Sequence, residues 1–248
     1  MERRCLALHW QGVAKQDSVR QRYSVVVYQR SERMRNVTFL QSREDWLKAR
    51  NSSVGGSDAA AIIGASPYMS NVELWEIKTG RKEVKEISGN PFVEYGTKAE
   101  EHLRELFKLD FPGYRVQYLP NNMFTNDDFP RRHTSLDGWL EDKDGRFGVL
   151  EIKTCEIQSR LAKAKWDGGI PQNYYVQVLH SMIITQADFA VVCAQLRWSR
   201  GGDVLKMTKH YKIERGEVQR DIDELIREEN KFVEYLESGK CPPLVLDI

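Results

Sequence analysis

The 248-residue chain contains few cysteines, and they are widely scattered. The four are Cys5, Cys155, Cys193 and Cys241, and no two of them form a Cys-x-x-Cys pair. This spacing argues against a zinc ribbon, an iron–sulfur cluster and a disulfide framework. We therefore expect free thiols in a reducing compartment.

Long apolar runs are also absent from the sequence. No run approaches the about 20 residues that a helix needs to span a bilayer. Arg3, Arg4 and His9 interrupt any apolar stretch near the start that could act as a secretory signal. We therefore predict a cytoplasmic protein, or a nuclear one if the host is eukaryotic.

The chain lacks an excess of either charge. It has 37 Lys and Arg against 36 Asp and Glu, a formal net charge of +1. Any positive surface that binds nucleic acid must therefore be local and offset by acids elsewhere. Residues 1–33 are locally basic, with seven Arg or Lys against three acids. We interpret them as a basic N-terminal extension of a domain over 34–248, with a separate basic arm as the alternative.

Helix and strand signals alternate along the rest of the chain. Ser42 with Asp45 three residues later predicts the start of a helix, and Asn71 is the predicted N-cap of a helix over 72–79. Further helices are predicted over 92–110, 173–185 and 216–236, and strands over 114–119, 135–140, 147–155, 187–198 and 204–214. Asp-Lys-Asp-Gly at 142–145 indicates a hairpin turn. This order predicts an α/β fold with a mixed central β-sheet flanked by helices.

Glu151 and Lys153 stand two residues apart on the apolar strand predicted over 147–155. Side chains at this spacing share one face of a strand, so the carboxylate, the ammonium and Val149 point the same way. Charged groups on an otherwise apolar strand are costly unless they are paired or bind a ligand. The pattern therefore indicates a functional site, although a salt bridge on an exposed strand face remains the alternative for this triplet alone.

Asp137 is predicted to add a second carboxylate to this place. It lies on the preceding strand, and a hairpin would bring it alongside Glu151. Two carboxylates bind a hard divalent cation such as Mg²⁺, for which Mn²⁺ can substitute, through oxygen. Such a metal lowers the pKa of a bound water and screens the charge of a phosphodiester. Lys153 could then hold or polarise the attacking water.

Glu100 is a further acid in an unusual setting. On the helix predicted over 92–110, it falls within the apolar stripe formed by Val93, Gly96, Leu103 and Phe107. An acid on a buried helix face needs a metal, a base or a hydrogen-bonding partner. We interpret it either as a third site carboxylate or as half of a salt bridge at the edge of the core.

Other polar and aromatic residues have ordinary structural interpretations. Asp58 is predicted to cap the small helix that follows it. Trp46 and Trp75 are predicted to lie in the core rather than to stack on bases. His133 and His180 lack metal-ligand spacing, so solvated or core roles are predicted for both.

Seven segments, in order, resemble those of the phage lambda exonuclease family, the YqaJ-type recombination nucleases with a PD-(D/E)xK site. The resemblance covers about residues 41–243. The segments are Trp46-Leu-Lys-Ala-Arg50, Gly55-Gly-Ser-Asp-Ala-Ala60 with Gly64-Ala-Ser-Pro-Tyr68, Glu73-Leu-Trp-Glu-Ile-Lys-Thr-Gly80, Gly96-Thr-Lys-Ala-Glu100, Ser135-Leu-Asp-Gly138, Leu150-Glu-Ile-Lys-Thr154 and Tyr174-Tyr-Val-Gln-Val-Leu-His-Ser-Met182.

The resemblance implies roles for particular residues. Glu100, Asp137, Glu151 and Lys153 would form a two-metal catalytic site, with Gln177 beside them and the backbone carbonyl of Ile152 as a further metal ligand. A pocket for a terminal 5′-phosphate would be formed by Arg50, Ser57 and Ser135. This chain has Leu136 where the family often has a proline before the aspartate. That proline shapes the backbone and binds no metal.

The resemblance also implies an activity and a fold. We expect a restriction-endonuclease-like core and a magnesium-dependent DNA exonuclease that digests one strand of duplex DNA from a 5′ end. Such an enzyme would support recombination by a single-strand annealing protein, and the family implies a homotrimer. An endonuclease on the same core and a non-catalytic DNA-binding module are the alternatives.

Overall fold

The computed structural model describes residues 23–30, 33–40, 42–84 and 89–246. The strands are β1 (Tyr23–Arg30), β2 (Arg33–Leu40), β3 (Arg115–Gln117), β4 (Asn122–Thr125), β5 (Gly138–Glu141), β6 (Phe147–Glu156), β7 (Phe189–Arg200) and β8 (Asp203–Glu214). The helices are α1 (Arg43–Asn51), α2 (Gly56–Ile62), α3 (Asn71–Lys78), α4 (Pro91–Asp110), α5 (Arg160–Asp167), α6 (Gln172–Thr185) and α7 (Gln219–Ser238). Within these ranges no helix is long and apolar enough to cross a membrane.

The main sheet has five strands in the order β3-β5-β6-β7-β8. Only β6 and β7 run parallel to each other, and the remaining neighbours are antiparallel. The connection between β6 and β7 contains α5 and α6, as a crossover between parallel strands requires. The predicted α/β class with a mixed sheet and flanking helices is confirmed.

Side chains on the central strands alternate between two cores. Val149 on β6 and Val192 on β7 pack with α6 on one face, in a cluster that includes Leu179 and Met182. Leu150, Ile152 and Val191 point to the other face and pack against α4 through Ala99, Leu103 and Phe107. Because the strand period is two, both faces of β6 are apolar up to Leu150. The predicted facing of Val149 and Leu150 is confirmed.

Helix α4 approaches β6 closely next to Glu100. A Cβ atom added to Gly96 would lie 2.9 Å from Oγ1 of Thr154, closer than Cβ contacts allow. Glycine at this position therefore lets the start of α4 pack directly on the C-terminal half of β6. This contact fixes Glu100, one helical turn later, beside the same strand.

A smaller sheet has the order β1-β2-β4. Strand β1 pairs antiparallel with β2 along its length, and Asn36 to Phe39 of β2 pair with β4. The predicted domain boundary between residues 33 and 34 falls inside β2, and it stays a prediction. Residues 1–22 of the predicted extension lie outside the described residues.

Most predicted elements form within a few residues of their expected positions. The hairpin turn at 142–145 joins β5 to β6, and Ser42 caps α1 through its side chain. The N-cap of α3 is Ser70, whose hydroxyl accepts from the Glu73 N–H, so the assignment of Asn71 was wrong. Strands β2 and β4 and helix α5 were not predicted.

The strand predicted over 135–140 begins only at Gly138. The Asn122 side chain takes the place of a strand partner before that point: its Oδ1 accepts from the Leu136 N–H at 2.8 Å, and its Nδ2 donates to the Leu136 carbonyl at 2.9 Å. Asp137 therefore lies just before β5 rather than within it.

Candidate active site

The candidate site lies where β6 runs past the end of β5. Their pairing reaches Gly138 opposite Leu150, whereas β6 continues to Glu156. Among the described strands none pairs with β6 beyond Leu150 on this side. The edge of β6 is therefore open from residue 151, and side chains from both faces of the sheet can meet there.

Asp137 occupies the first position at this open edge. Its Oδ2 accepts a hydrogen bond from the Ile152 backbone N–H at 2.8 Å. Because the N–H and C=O of one strand residue point to the same side, the Ile152 carbonyl also points to the open edge. The hairpin thus brings Asp137 beside the Glu151–Lys153 segment, as the sequence predicts.

Glu151, Lys153 and Gln177 form a closed hydrogen-bonded triangle. Glu151 is 2% exposed, and its Oε1 lies 2.7 Å from Lys153 Nζ. Gln177, on α6, donates from Nε2 to the same Oε1 at 2.6 Å and accepts from Lys153 Nζ through Oε1 at 3.0 Å. The amide therefore fixes the distance and orientation of the charged pair.

Glu100 reaches the edge from α4, on the opposite face of the sheet. Its Oε1 lies 3.5 Å from Nη1 of Arg104, one turn further along the helix. Arg104 is 5% exposed, and its Nη1 donates a short hydrogen bond to the Asp137 carbonyl. The guanidinium thereby connects α4 to the segment that carries Asp137, a role that no sequence pattern indicated.

The charges of these groups act on one another. Burial raises the pKa of Asp137 well above its usual range, and the nearby Glu151 and Glu100 carboxylates raise it further. Burial also raises the pKa of Glu100. The Arg104 guanidinium opposes this shift, and the Glu151 carboxylate adds to it. Burial lowers the pKa of Lys153, but Glu151 and Asp137 outweigh it, so the net shift is upward. The carboxylates of Asp137, Glu100 and Glu151 are thus close enough to interact electrostatically.

The donor set fits a hard divalent cation. Asp137, Glu151 and Glu100 offer only carboxylate oxygens, and the carbonyl of Ile152 would add a fourth oxygen. Across the described ranges, no three Asp, Glu, His or Cys side chains stand together as a finished metal-binding group. Each carboxylate instead faces a protein donor: Lys153 and Gln177, the Ile152 N–H, or Arg104.

The three predicted phosphate-pocket residues lie around Trp46. Arg50 Nη2 donates to Ser57 Oγ at 2.7 Å, and its guanidinium carbon lies 5.1 Å from the Trp46 ring centroid. Trp46 Nε1 donates to Ser135 Oγ at 2.9 Å. The half-buried tryptophan therefore joins Arg50 to Ser135, which lies two residues before Asp137.

A lysine with a buried side chain, Lys78, contacts the backbone next to the proposed phosphate pocket. Lys78 Nζ lies 2.7 Å from Asp58 Oδ2 and donates to the backbone carbonyls of Arg50 at 3.2 Å and Ser53 at 2.8 Å. Asp58 also accepts from the Gly55 N–H at 2.9 Å, so it takes part in capping α2, but from the third position within the helix and not from before it as predicted. Lys78 thus connects α3 to the end of α1 and to the loop that follows it, a role that no sequence pattern indicated.

Behind α6, two histidines belong to a buried polar network. The ring nitrogens of His180 lie 2.6 Å from Glu229 Oε1 and 2.9 Å from the His133 carbonyl oxygen. Burial lowers the pKa of His180, but Glu229 outweighs it, so the net shift is upward. Arg132 Nε lies 3.2 Å from Glu229 Oε2. Of the predicted alternatives, the core role is confirmed for both histidines.

The chain matches a known family over the segment that carries this site. Residues 45–188 match the model of the YqaJ-like viral recombinase domain, and the chain belongs to that family. That range includes every candidate site residue from Arg50 to Gln177. The resemblance seen in the sequence is confirmed.

Two kinds of relative accompany this match. The chain is 30% identical over 141 residues to the protein YqaJ of Bacillus subtilis, an alignment covering 56% of this chain and 41% of that protein. The alkaline exonuclease LHK-Exo of Laribacter hongkongensis has a similar fold, with a TM-score of 0.55 at 19% identity over 79% of this chain and 93% of that one. The structure of that enzyme in complex with dAMP also gives a TM-score of 0.55, at 18% identity.

Proposed function

We propose that this protein is a magnesium-dependent DNA exonuclease whose catalytic residues are Glu100, Asp137, Glu151, Lys153 and Gln177. The observation that carries the proposal is the convergence of three carboxylates and a lysine at the open edge of β6. Family membership and the fold shared with an alkaline exonuclease support it. Mn²⁺ should replace Mg²⁺, because the proposed ligands are all oxygens.

The residues suit hydrolysis of a phosphodiester. A divalent cation held by Glu100, Asp137, Glu151 and the Ile152 carbonyl would supply an activated water and charge neutralisation. Lys153 holds an ammonium beside Glu151, where it can position the attacking water. Gln177 keeps both groups oriented and leaves the lysine little freedom to move away.

A pocket for an end group favours an exonuclease over an endonuclease. Arg50 and Ser57 are in contact at the N-terminus of α2, and Ser135 is joined to them through Trp46. Arginine binds phosphate oxygens with two parallel hydrogen bonds. A terminal 5′-phosphate held here would place the following phosphodiester near Asp137, which supports digestion from the 5′ end of duplex DNA.

Membership of the family supports a proposed wider role. Digestion from 5′ ends leaves single strands on which an annealing protein can act, so we propose a role in recombination with such a partner. We also propose that the protein forms a homotrimer. We propose that it acts in the cytoplasm, or in the nucleus of a eukaryotic host.

Digestion of linear and covalently closed duplex DNA tests the proposed function. With Mg²⁺, linear DNA labelled at the 5′ ends should lose its label early, and DNA labelled internally should lose it progressively. Closed circles should stay intact, and EDTA should stop all release. Efficient nicking of closed circles would favour the endonuclease. Binding without cleavage of either substrate would favour the DNA-binding module.

A further inference from the structure

A groove of about 730 Å³ runs along α4 beside the candidate site. Its polar lining includes Arg43, Glu100 and Arg104, and its apolar lining includes Tyr118, Leu119 and Trp139. A cavity of this size falls within the range of about 300–1,000 Å³ typical of small-ligand sites. It can therefore accommodate one nucleotide unit.

The lining of the groove includes one residue of the proposed metal site and one residue that contacts Trp46 of the proposed phosphate pocket. Glu100, from the proposed metal site, forms part of its wall. Arg43 forms another part, and its guanidinium carbon lies 5.6 Å from the centroid of Trp46. The same tryptophan contacts Arg50 and Ser135 of the proposed phosphate pocket. A nucleotide with a phosphate at each of these two sites would have its base beside this groove.

The charge of the groove suits a base better than a phosphate. Three basic residues, Arg43, Arg104 and Lys108, are balanced by three acids, Glu100, Glu101 and Glu105. A phosphate would gain little net attraction there, because the numbers of acids and bases are equal and Arg104 and Lys108 are each paired with an acid. A neutral base suffers no such repulsion, and carboxylates can accept hydrogen bonds from its amino groups.

Tyr118 gives the groove a preorganised aromatic surface. Tyr118 is 37% exposed as a residue, and the Arg104 guanidinium carbon lies 3.6 Å from the centroid of its ring. Arg104 is itself held by the Asp137 carbonyl and by Glu100, so the ring rests on a fixed support. Leu119, next to it, is 45% exposed. An exposed aromatic ring with an apolar neighbour is the usual surface on which a base stacks.

We propose that this groove holds the base of the 5′-terminal nucleotide and that Tyr118 is its stacking partner. The proposal rests on the proposed exonuclease function. It adds a base-binding site that accepts any of the four bases, because stacking needs only a flat π-surface.

The test compares two substrates with Tyr118 variants. One duplex carries a 5′-phosphorylated terminal nucleotide with its base, and the other carries a 5′-phosphorylated abasic residue at that position. The readout is the single-turnover rate at which the first residue is released. The wild type should release the abasic residue more slowly, on the order of tenfold. Tyr118→Ala should lose a similar factor with the base present and little more without it.

Two variants separate stacking from a supporting role. Tyr118→Phe keeps the ring and should keep the wild-type difference between the substrates. Leu109→Ala, which shortens a 76% exposed residue on α4 outside the groove lining, should behave as wild type. Equal loss on both substrates in Tyr118→Ala would mean that Tyr118 only supports Arg104, and would overturn the proposal.

Failure of the two proposals can be told apart. Normal release of both substrates by the wild type, at equal rates, would overturn the base site and leave the exonuclease intact. No release of either substrate from linear DNA would overturn the exonuclease function, and the base site with it.

Discussion

Arg104 donates a hydrogen bond to the backbone carbonyl of Asp137, and the same guanidinium lies 3.5 Å from the Glu100 carboxylate. One buried side chain thus connects two proposed metal ligands that come from different elements. The ring of Tyr118 covers the guanidinium on its outer side. We infer that Arg104 is a positioning residue that sets the distance between the two carboxylates.

Arg104→Lys should weaken metal binding. Lysine keeps the charge, but it lacks the planar guanidinium that can donate to two acceptors at once. Losing one such contact costs about 1–3 kcal/mol, so the Mg²⁺ concentration for half-maximal activity should rise about tenfold. Calorimetric titration of the protein with Mg²⁺ should show the same weakening.

Lys108→Ala provides the matched control for this variant. Lys108 lies one turn further along α4, where it pairs with Glu105 at the surface. Its removal should leave Mg²⁺ binding unchanged. Unchanged Mg²⁺ binding in Arg104→Lys as well would show that Arg104 does not position the ligands.

Lys153→Ala should keep DNA binding and lose turnover by on the order of 10² or more, as expected for a group that acts on the attacking water. The measurement is single-turnover release together with binding to a labelled duplex. Lys163→Ala, on the surface of α5, should retain full activity. Wild-type turnover in Lys153→Ala would mean that Lys153 only pairs with Glu151 and takes no part in catalysis.

Arg50→Ala should abolish the preference for 5′-phosphate over 5′-hydroxyl ends. A hydrogen bond to a charged group contributes about 1.5–3 kcal/mol, so the preference should fall at least tenfold. Slow cleavage should remain, because the metal ligands are untouched. Lys48→Ala, an exposed change on the same helix, is the control. Equal rates of the wild type on 5′-phosphate and 5′-hydroxyl ends would contradict the proposed phosphate pocket.

His133 should make the protein less stable in acid. Burial and the neighbouring charge on His180 lower its pKa from 6.5 to about 3. Since the folded-state pKa is depressed, the unfolded chain takes up a proton first as the pH falls below 6.5. The free energy of unfolding should therefore fall by about 1.4 kcal/mol per pH unit from this group, between pH 6.5 and about 3.

The check is denaturant unfolding of the wild type and His133→Gln at pH 7, 6 and 5. The variant should show a pH dependence shallower by about 1.4 kcal/mol per unit below pH 6.5. His102→Gln removes an exposed imidazole on α4 and should keep the wild-type dependence. Equal slopes in all three proteins would mean that His133 is protonated in the folded state.

The part of the site carried by one hairpin could be predicted from sequence. Glu151 and Lys153 share a strand face because of the two-residue period, and the turn at 142–145 brings Asp137 alongside. These are local relationships over about 15 residues. Glu100 could be placed on the correct face of α4 for the same reason, since helix periodicity is also local.

Contacts between distant segments could not be predicted in this way. The Arg104 contact depends on how closely α4 packs on β6, and the Lys78 contacts join α3 to a loop 25–28 residues earlier. His180 and Glu229 meet only because α6 and α7 pack together. No periodicity reports such pairs, so the sequence left solvated and core roles open for His180 and did not indicate its partner.

Nucleotide release from linear duplex DNA by the wild type and Asp137→Asn, with Mg²⁺ and with EDTA, tests the central claim most directly. Asparagine keeps the size of the side chain and can still accept from the Ile152 N–H, but it removes the negative charge. We expect Mg²⁺-dependent release by the wild type, none in EDTA, and a loss on the order of 10² or more in the variant. Release that persists in EDTA, or a wild-type rate in Asp137→Asn, would contradict metal-dependent hydrolysis at this site.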